Sequence, residues 1–118
     1  ITNKTQYFQL KVGELIKNIA FDDIYYFETS HKIHKVILYE KNGTHEFYDT
    51  LKNLEHLDSR FYKCHKSYLI NLQYVKAVDT KNRKVILINN DVCNISFRSL
   101  REIKRKLNEW SEINILQQ

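Results

Sequence analysis

The stretch Lys35-Val36-Ile37-Leu38-Tyr39-Glu40-Lys41-Asn42-Gly43-Thr44-His45-Glu46-Phe47-Tyr48 decides the fold class. Its first run is apolar and β-prone, and His45–Tyr48 returns as the partner strand. The Asn42-Gly43 pair between them is the signal of a tight hairpin. Outward from this hairpin, period-2 patterns dominate. Tyr7–Val12 alternates, Gly13 turns, and Glu14–Ile19 reads as the partner strand. Phe21–Ile24 is a short turn or helical cap that feeds the apolar run Ile24–Thr29. Val75–Val78 and Val85–Ile88 flank the polar turn Asp79–Lys84, and Val92–Ser96 pairs back across Asn89-Asn90-Asp91. Ser67–Asn71 fits either a strand or a short helix.

Two helices interrupt the strands. The first is capped by Asp49 or Thr50 and places Leu51, Leu54 and Leu57 at helical spacing. The second opens on the capping box Ser99-Leu100-Arg101-Glu102, with Leu100, Ile103, Leu107 and Trp110 along one face. The expectation is a mostly β domain with one mid-chain helix and one C-terminal helix.

At 118 residues the chain is one domain, long enough for a real core. Aromatic residues make up 13% and proline is absent, a composition that argues against disorder. No apolar run approaches the roughly 20 residues of a membrane span, and no signal-peptide pattern opens the chain. The sequence starts on Ile1 rather than Met, so it reads as a fragment of a longer protein. Cys64 and Cys93 form neither a disulfide scaffold nor a CxxC zinc spacing, which fits a cytoplasmic protein with reduced thiols. The net charge of +5 points toward a polyanion.

Basic groups collect at the ends of β-prone segments in Ser30–Lys35, in Phe61–Ser67 and at Phe97-Arg98, just before the C-terminal helix. Side chains on such loops reach phosphates and base edges. Enzyme chemistry has no comparable support. Cys64 and His65 are neighbours on a strand and point to opposite faces, so His65 does not serve as a base for Cys64. His31 and His34 stand at a metal-like spacing, but no nearby carboxylate or thiolate completes the set, and neither metal nor cofactor is expected. The run Arg101, Lys104, Arg105 and Lys106 reads as a solvated helix face.

On these residues the chain resembles the LytTR DNA-binding domains, the C-terminal half of many bacterial response regulators, and among them the AgrA-type regulators. Phe61–Ser67 fits the pattern Phe-x-[basic]-x-His-[basic]-Ser. Phe27-Glu28-Thr29-Ser30 leads to His34-Lys35 at the family's separation, and Asp58-Ser59-Arg60 and Asn71 flank the motif. The likeness covers about Tyr7 to Leu107, with 108–118 as a helical extension.

The resemblance implies an elongated stack of small antiparallel sheets with short helices, whose loops rather than a recognition helix enter successive major grooves. It assigns base contacts to His34, Arg98 and Lys66, although Lys66 fits a phosphate contact equally well. Phosphate contacts fall on Lys35, Lys63, Ser67, His65, Ser30 and Lys32, with a buried, hydrogen-bonded histidine as the other reading of His65. Cys64 and Cys93 lie beside these segments. They are either small core residues or a redox pair whose disulfide would shift the loops. The implied function is transcription activation in quorum sensing or virulence control, under an upstream receiver domain. Two tandem copies would sit on double-stranded DNA at paired direct repeats, with RNA polymerase as a further partner. The competing expectation is a protein-interaction domain whose basic loops bind an acidic partner. Trp110, Ile113 and Leu116 extend the core or form a docking tail.

Overall fold

The computed structural model describes residues 6–116, with side chains to residue 112. Strands β1 (Tyr7–Val12) and β2 (Leu15–Ala20) form a hairpin. The central sheet holds β3 (Ile24–Thr29), β4 (Lys35–Glu40), β5 (Gly43–Tyr48), β6 (Phe61–His65) and β7 (Tyr68–Asn71), in the order β5-β4-β3-β7-β6. A third sheet is made of β8 (Val75–Asp79), β9 (Lys84–Leu87) and β10 (Val92–Asn94). All pairings are antiparallel. Helix α1 is the single turn Leu51–Leu54, and α2 runs from Phe97 to Leu116.

The central sheet is sandwiched, and its pleat sorts side chains into two cores. Phe27 and Leu69 join Phe8, Leu10, Ile19, Leu51 and Leu54 on the face covered by the β1–β2 hairpin and α1. Tyr26 and Ile70 join Val85, Leu87, Cys93, Ile95 and Ile103 on the face covered by the third sheet and α2. Ile24 and Phe27 share the first core although three residues apart, which a regular pleat forbids. A register shift between Ile24 and Tyr26 supplies the extra residue. Phe27 is fully buried, with the Phe8, Phe47 and Phe61 rings 5.7–6.4 Å away. The outline is a slab of 43 × 42 × 23 Å, long in two directions rather than one.

Several local expectations shift. Glu40 pairs with Gly43, so the hairpin turns on Lys41-Asn42 instead of Asn42-Gly43. The Glu40 carboxylate accepts the Asn42 N–H at 2.8 Å, and Gly43, at φ +149°, opens the return strand. Residues Tyr68–Asn71 are a strand. Thr50 caps α1 by accepting the Asn53 N–H, and Leu57 lies beyond that turn yet still packs on the first core.

The capping box at Ser99 does not form. Helix α2 begins three residues earlier than that box requires, and Ser96 caps it: its Oγ accepts the Ser99 N–H at 3.0 Å and its carbonyl the Leu100 N–H at 2.9 Å. Glu102 instead pairs with Arg105 at 3.6 Å. Phe97 and Arg98 therefore lie inside the first helical turn, not before it. Half-buried Trp110 packs on the second core with the Arg60 guanidinium 5.5 Å from its ring, so it extends the core. The side chains of Ile113 and Leu116 lie outside the described residues.

Candidate nucleic-acid interface

Strands β3 and β6 run parallel across the intervening β7, so the loops that follow them leave the same end of the central sheet. The Thr29 N–H donates to the Ser67 carbonyl at 3.0 Å and ties the two loops together. The Ser96 N–H donates to the Cys64 carbonyl at 2.8 Å and sets the start of α2 beside them. The segments singled out as basic in the sequence are thus gathered at one end of the domain.

The β3–β4 loop is tightly built. Ser30 N–H donates to the Lys35 carbonyl and Lys35 N–H to the Lys32 carbonyl. Exposed His34 adopts φ +62°, a region that residues with a β-carbon seldom occupy, and its carbonyl accepts the Asp49 N–H. Between this loop and the β6–β7 turn lies a shallow groove of about 300 Å³ that brings together His34, Lys35, Lys63 and Lys66. Lys52 and Thr50 from the α1 region also line it. Lys35 is steadied over the Tyr48 ring at 4.6 Å. Ser30 and Lys32 are held on β5 instead, where both side chains meet the Glu46 carboxylate.

His65 resolves into a definite role in its turn. Its Nδ1 accepts the Ser67 N–H at 3.1 Å. Burial and the Lys66 and Lys84 ammonium groups push its pKa below the ordinary imidazole value. The neutral ring therefore carries its proton on Nε2, as a donor. Beside it a second recess of about 270 Å³ is lined by His65, Asn82, Arg83, Lys84 and Asn94. Arg83, at φ +53°, lies over the exposed Phe97 ring at 4.8 Å, and Arg98 follows on the helix as an exposed cation.

Arg83, Lys84 and Lys52 were missed from sequence. Asn82-Arg83-Lys84 reads as an ordinary hairpin turn, and nothing local reveals that it meets His65 and Phe97. Cys64 and Cys93 are both fully buried in the second core. Cys64 Sγ lies 3.3 Å from the Asn94 carbonyl, and burial pushes its thiol up to about 12 and that of Cys93 upward as well.

The family model described as the LytTr DNA-binding domain matches residues 14–108. Accessory gene regulator protein A of Staphylococcus aureus (strain N315) is 37% identical over 101 residues, which cover 86% of this chain and 42% of that protein. Its counterpart in Staphylococcus epidermidis is 39% identical over 95 residues, 80% of this chain and 40% of that protein. The chain thus spans about two-fifths of the length of the curated relatives it matches. A solved LytTr DNA-binding domain from Bacillus cereus superposes with a TM-score of 0.73 at 22% identity, over 89% of this chain and 98% of that one, which shows the shared fold. With the family model spanning most of its length and its basic loops gathered at one end of the central sheet, this chain belongs to the LytTR DNA-binding domain family.

Proposed function

We propose that this chain is the sequence-specific DNA-binding effector domain of a two-component response regulator that activates transcription in quorum sensing or virulence control. The observation that carries the reading is the gathering of His34, Lys66 and Arg98 at one end of the sheet, each on a different loop or helix start. His34 and Arg98 read bases in separate major grooves, and Lys66 adds a third contact. Lys35, Lys63, Ser67 and the Nε2–H of His65 fix register on phosphates, with Arg83 beside Phe97 as an added cation, while Ser30 and Lys32 stand at the margin, engaged by Glu46 rather than by phosphate. A slab 43 Å long is comparable with the roughly 34 Å turn of B-DNA, which supports a reading in which one domain meets successive grooves.

The whole regulator would place a phosphorylatable receiver domain upstream and set two copies on paired direct repeats in the cytoplasm, within reach of RNA polymerase. No helix among the described residues is long and apolar enough to cross a membrane. The Cys64–Cys93 pair would add redox sensitivity, since a disulfide at that point pulls on the β6–β7 turn and the start of α2.

Selection from a randomised duplex pool, followed by anisotropy titration of the enriched site across salt, tests the reading. Enrichment of helically phased repeats is expected, with about five neutralised phosphates giving a log–log salt slope near −4 to −5. A pool that stays flat would overturn it in favour of an interaction domain with an acidic partner.

A further inference from the structure

Glu46 sets a carboxylate beside the loop that carries His34, on a surface otherwise rich in cations. It stands on β5 opposite Ile37 of the neighbouring strand. Its Oε2 accepts the Ser30 hydroxyl at 2.5 Å, and its Oε1 meets the Lys32 ammonium at 3.2 Å. The Ser30 hydroxyl in turn accepts the Lys32 backbone N–H at 3.0 Å. The Ser30 hydrogen bond, followed by Lys32, holds the carboxyl below its ordinary value, so it is ionised at neutral pH.

A fixed negative charge at this place opposes every phosphate backbone alike, and the ammonium it engages is removed from the set that meets phosphate. Affinity alone would favour a neutral residue here. Geometry supplies the compensating demand. His34 sits at φ +62°, a backbone state that persists only where surrounding bonds determine it. The Glu46–Ser30–Lys32 set braces the N-terminal half of the same loop.

We propose that Glu46 is a specificity-determining residue of the DNA interface: by binding Ser30 and Lys32 it withholds one cation from phosphate and fixes the loop that presents His34. The inference rests on the reading of His34 as a base contact. It trades general affinity for selectivity, because the ammonium it engages would strengthen all duplexes equally, whereas the braced loop favours one sequence.

Glu46→Gln keeps the shape and an acceptor for Ser30 but removes the charge. The enriched duplex and a scrambled duplex of the same composition are titrated across salt with the wild type, Glu46→Gln, Glu46→Gln/Lys32→Ala and His34→Ala. Glu46→Gln is expected to bind the scrambled duplex several-fold tighter, with a salt slope steeper by about 0.9. The enriched duplex gains less, so the ratio between the two falls. Adding Lys32→Ala returns the slope to the wild-type value.

A brace that matters only for folding would weaken both duplexes together and leave the slope unchanged, and that result overturns the proposal. Unaltered binding of the scrambled duplex by Glu46→Gln overturns it too, even where His34→Ala lowers the ratio. Conversely, a ratio untouched by His34→Ala removes the base-reading role of His34, and the salt slope of Glu46→Gln still reports separately on Lys32.

Discussion

The backbone N–H of Ser67 donates to Nδ1 of His65 at 3.1 Å, so an imidazole closes the turn between β6 and β7 from within the family's signature motif. Protonating Nδ1 destroys that acceptor. Because burial, Lys66 and Lys84 lower the pKa of His65 in the folded state, the unfolded chain binds the proton more readily. The stabilising contribution is therefore complete above the unfolded value, about 6.5, and is lost as pH falls through the lower folded value. The Tm of the free domain is expected to drop between pH 7 and 5. His65→Asn, whose amide oxygen takes the place of Nδ1, should flatten this part of the profile. An unchanged slope in His65→Asn would show that other groups carry it.

The proposed roles of Arg98 and Lys63 separate reading from holding. A guanidinium in the first turn of α2 is able to grip guanine O6 and N7 together, a contact worth about 1–3 kcal/mol of discrimination. Arg98→Ala is expected to lose that much on the enriched duplex and to relax preference at one base pair. Lys63→Ala should weaken all duplexes alike and make the salt slope shallower by about 0.9. Measuring both variants on matched and single-substituted duplexes decides the matter, since equal loss of specificity from the two would erase the division.

Strand positions were legible because apolar alternation is local: eight of the ten strands among the described residues contain or overlap runs that read as strands, Phe61–His65 reads as a basic motif at a strand edge, and Tyr68–Asn71 fits either strand or helix. Ends were less legible for physical reasons. Ser99-x-x-Glu102 has the form of a capping box, but Ser96 follows fully packed Ile95 and takes the cap first. Asn42-Gly43 has the form of a tight turn, yet Glu40 fixes the Asn42 amide and moves the turn back by one residue. The candidate interface was legible where its cations stand in a motif. Arg83 and Glu46 escaped because their partners, Phe97 for the one and Ser30 and Lys32 for the other, are 14–16 residues away in the chain.

Asn71 makes a prediction about the scaffold. Its side chain is fully buried, and its Nδ2 donates to the Ile24 carbonyl at 2.9 Å and the Phe21 carbonyl at 3.4 Å. Its Oδ1 accepts the Gln73 N–H at 3.0 Å. Asn71→Ala leaves these groups without partners, at a cost of about 1–3 kcal/mol. Asn71→Asp retains the acceptor but loses both donors and buries a charge, so it should destabilise at least as much at pH 7. Urea titrations with equal midpoints for the wild type and both variants would contradict this role.

The buried cysteines carry the last prediction. A thiol must ionise to react, and burial pushes Cys64 up to about 12 and raises Cys93, partly through Cys64 itself. Raised acid pKa values place their stabilising contribution below the unfolded thiol value, about 8.5, and remove it as pH rises toward the folded values. At pH 8 the folded domain should therefore react with a maleimide or a disulfide reagent far more slowly than the urea-unfolded chain. Oxidation then proceeds through local opening of the seam between β6 and β10. Diamide should join Cys64 to Cys93 slowly, and the crosslinked form should lose DNA affinity because Cys64 anchors the Ser96 N–H and precedes His65. DNA, by holding that seam closed, should slow the crosslink further. A fast crosslink indifferent to DNA, or a crosslinked domain with full affinity, would separate the thiols from the interface.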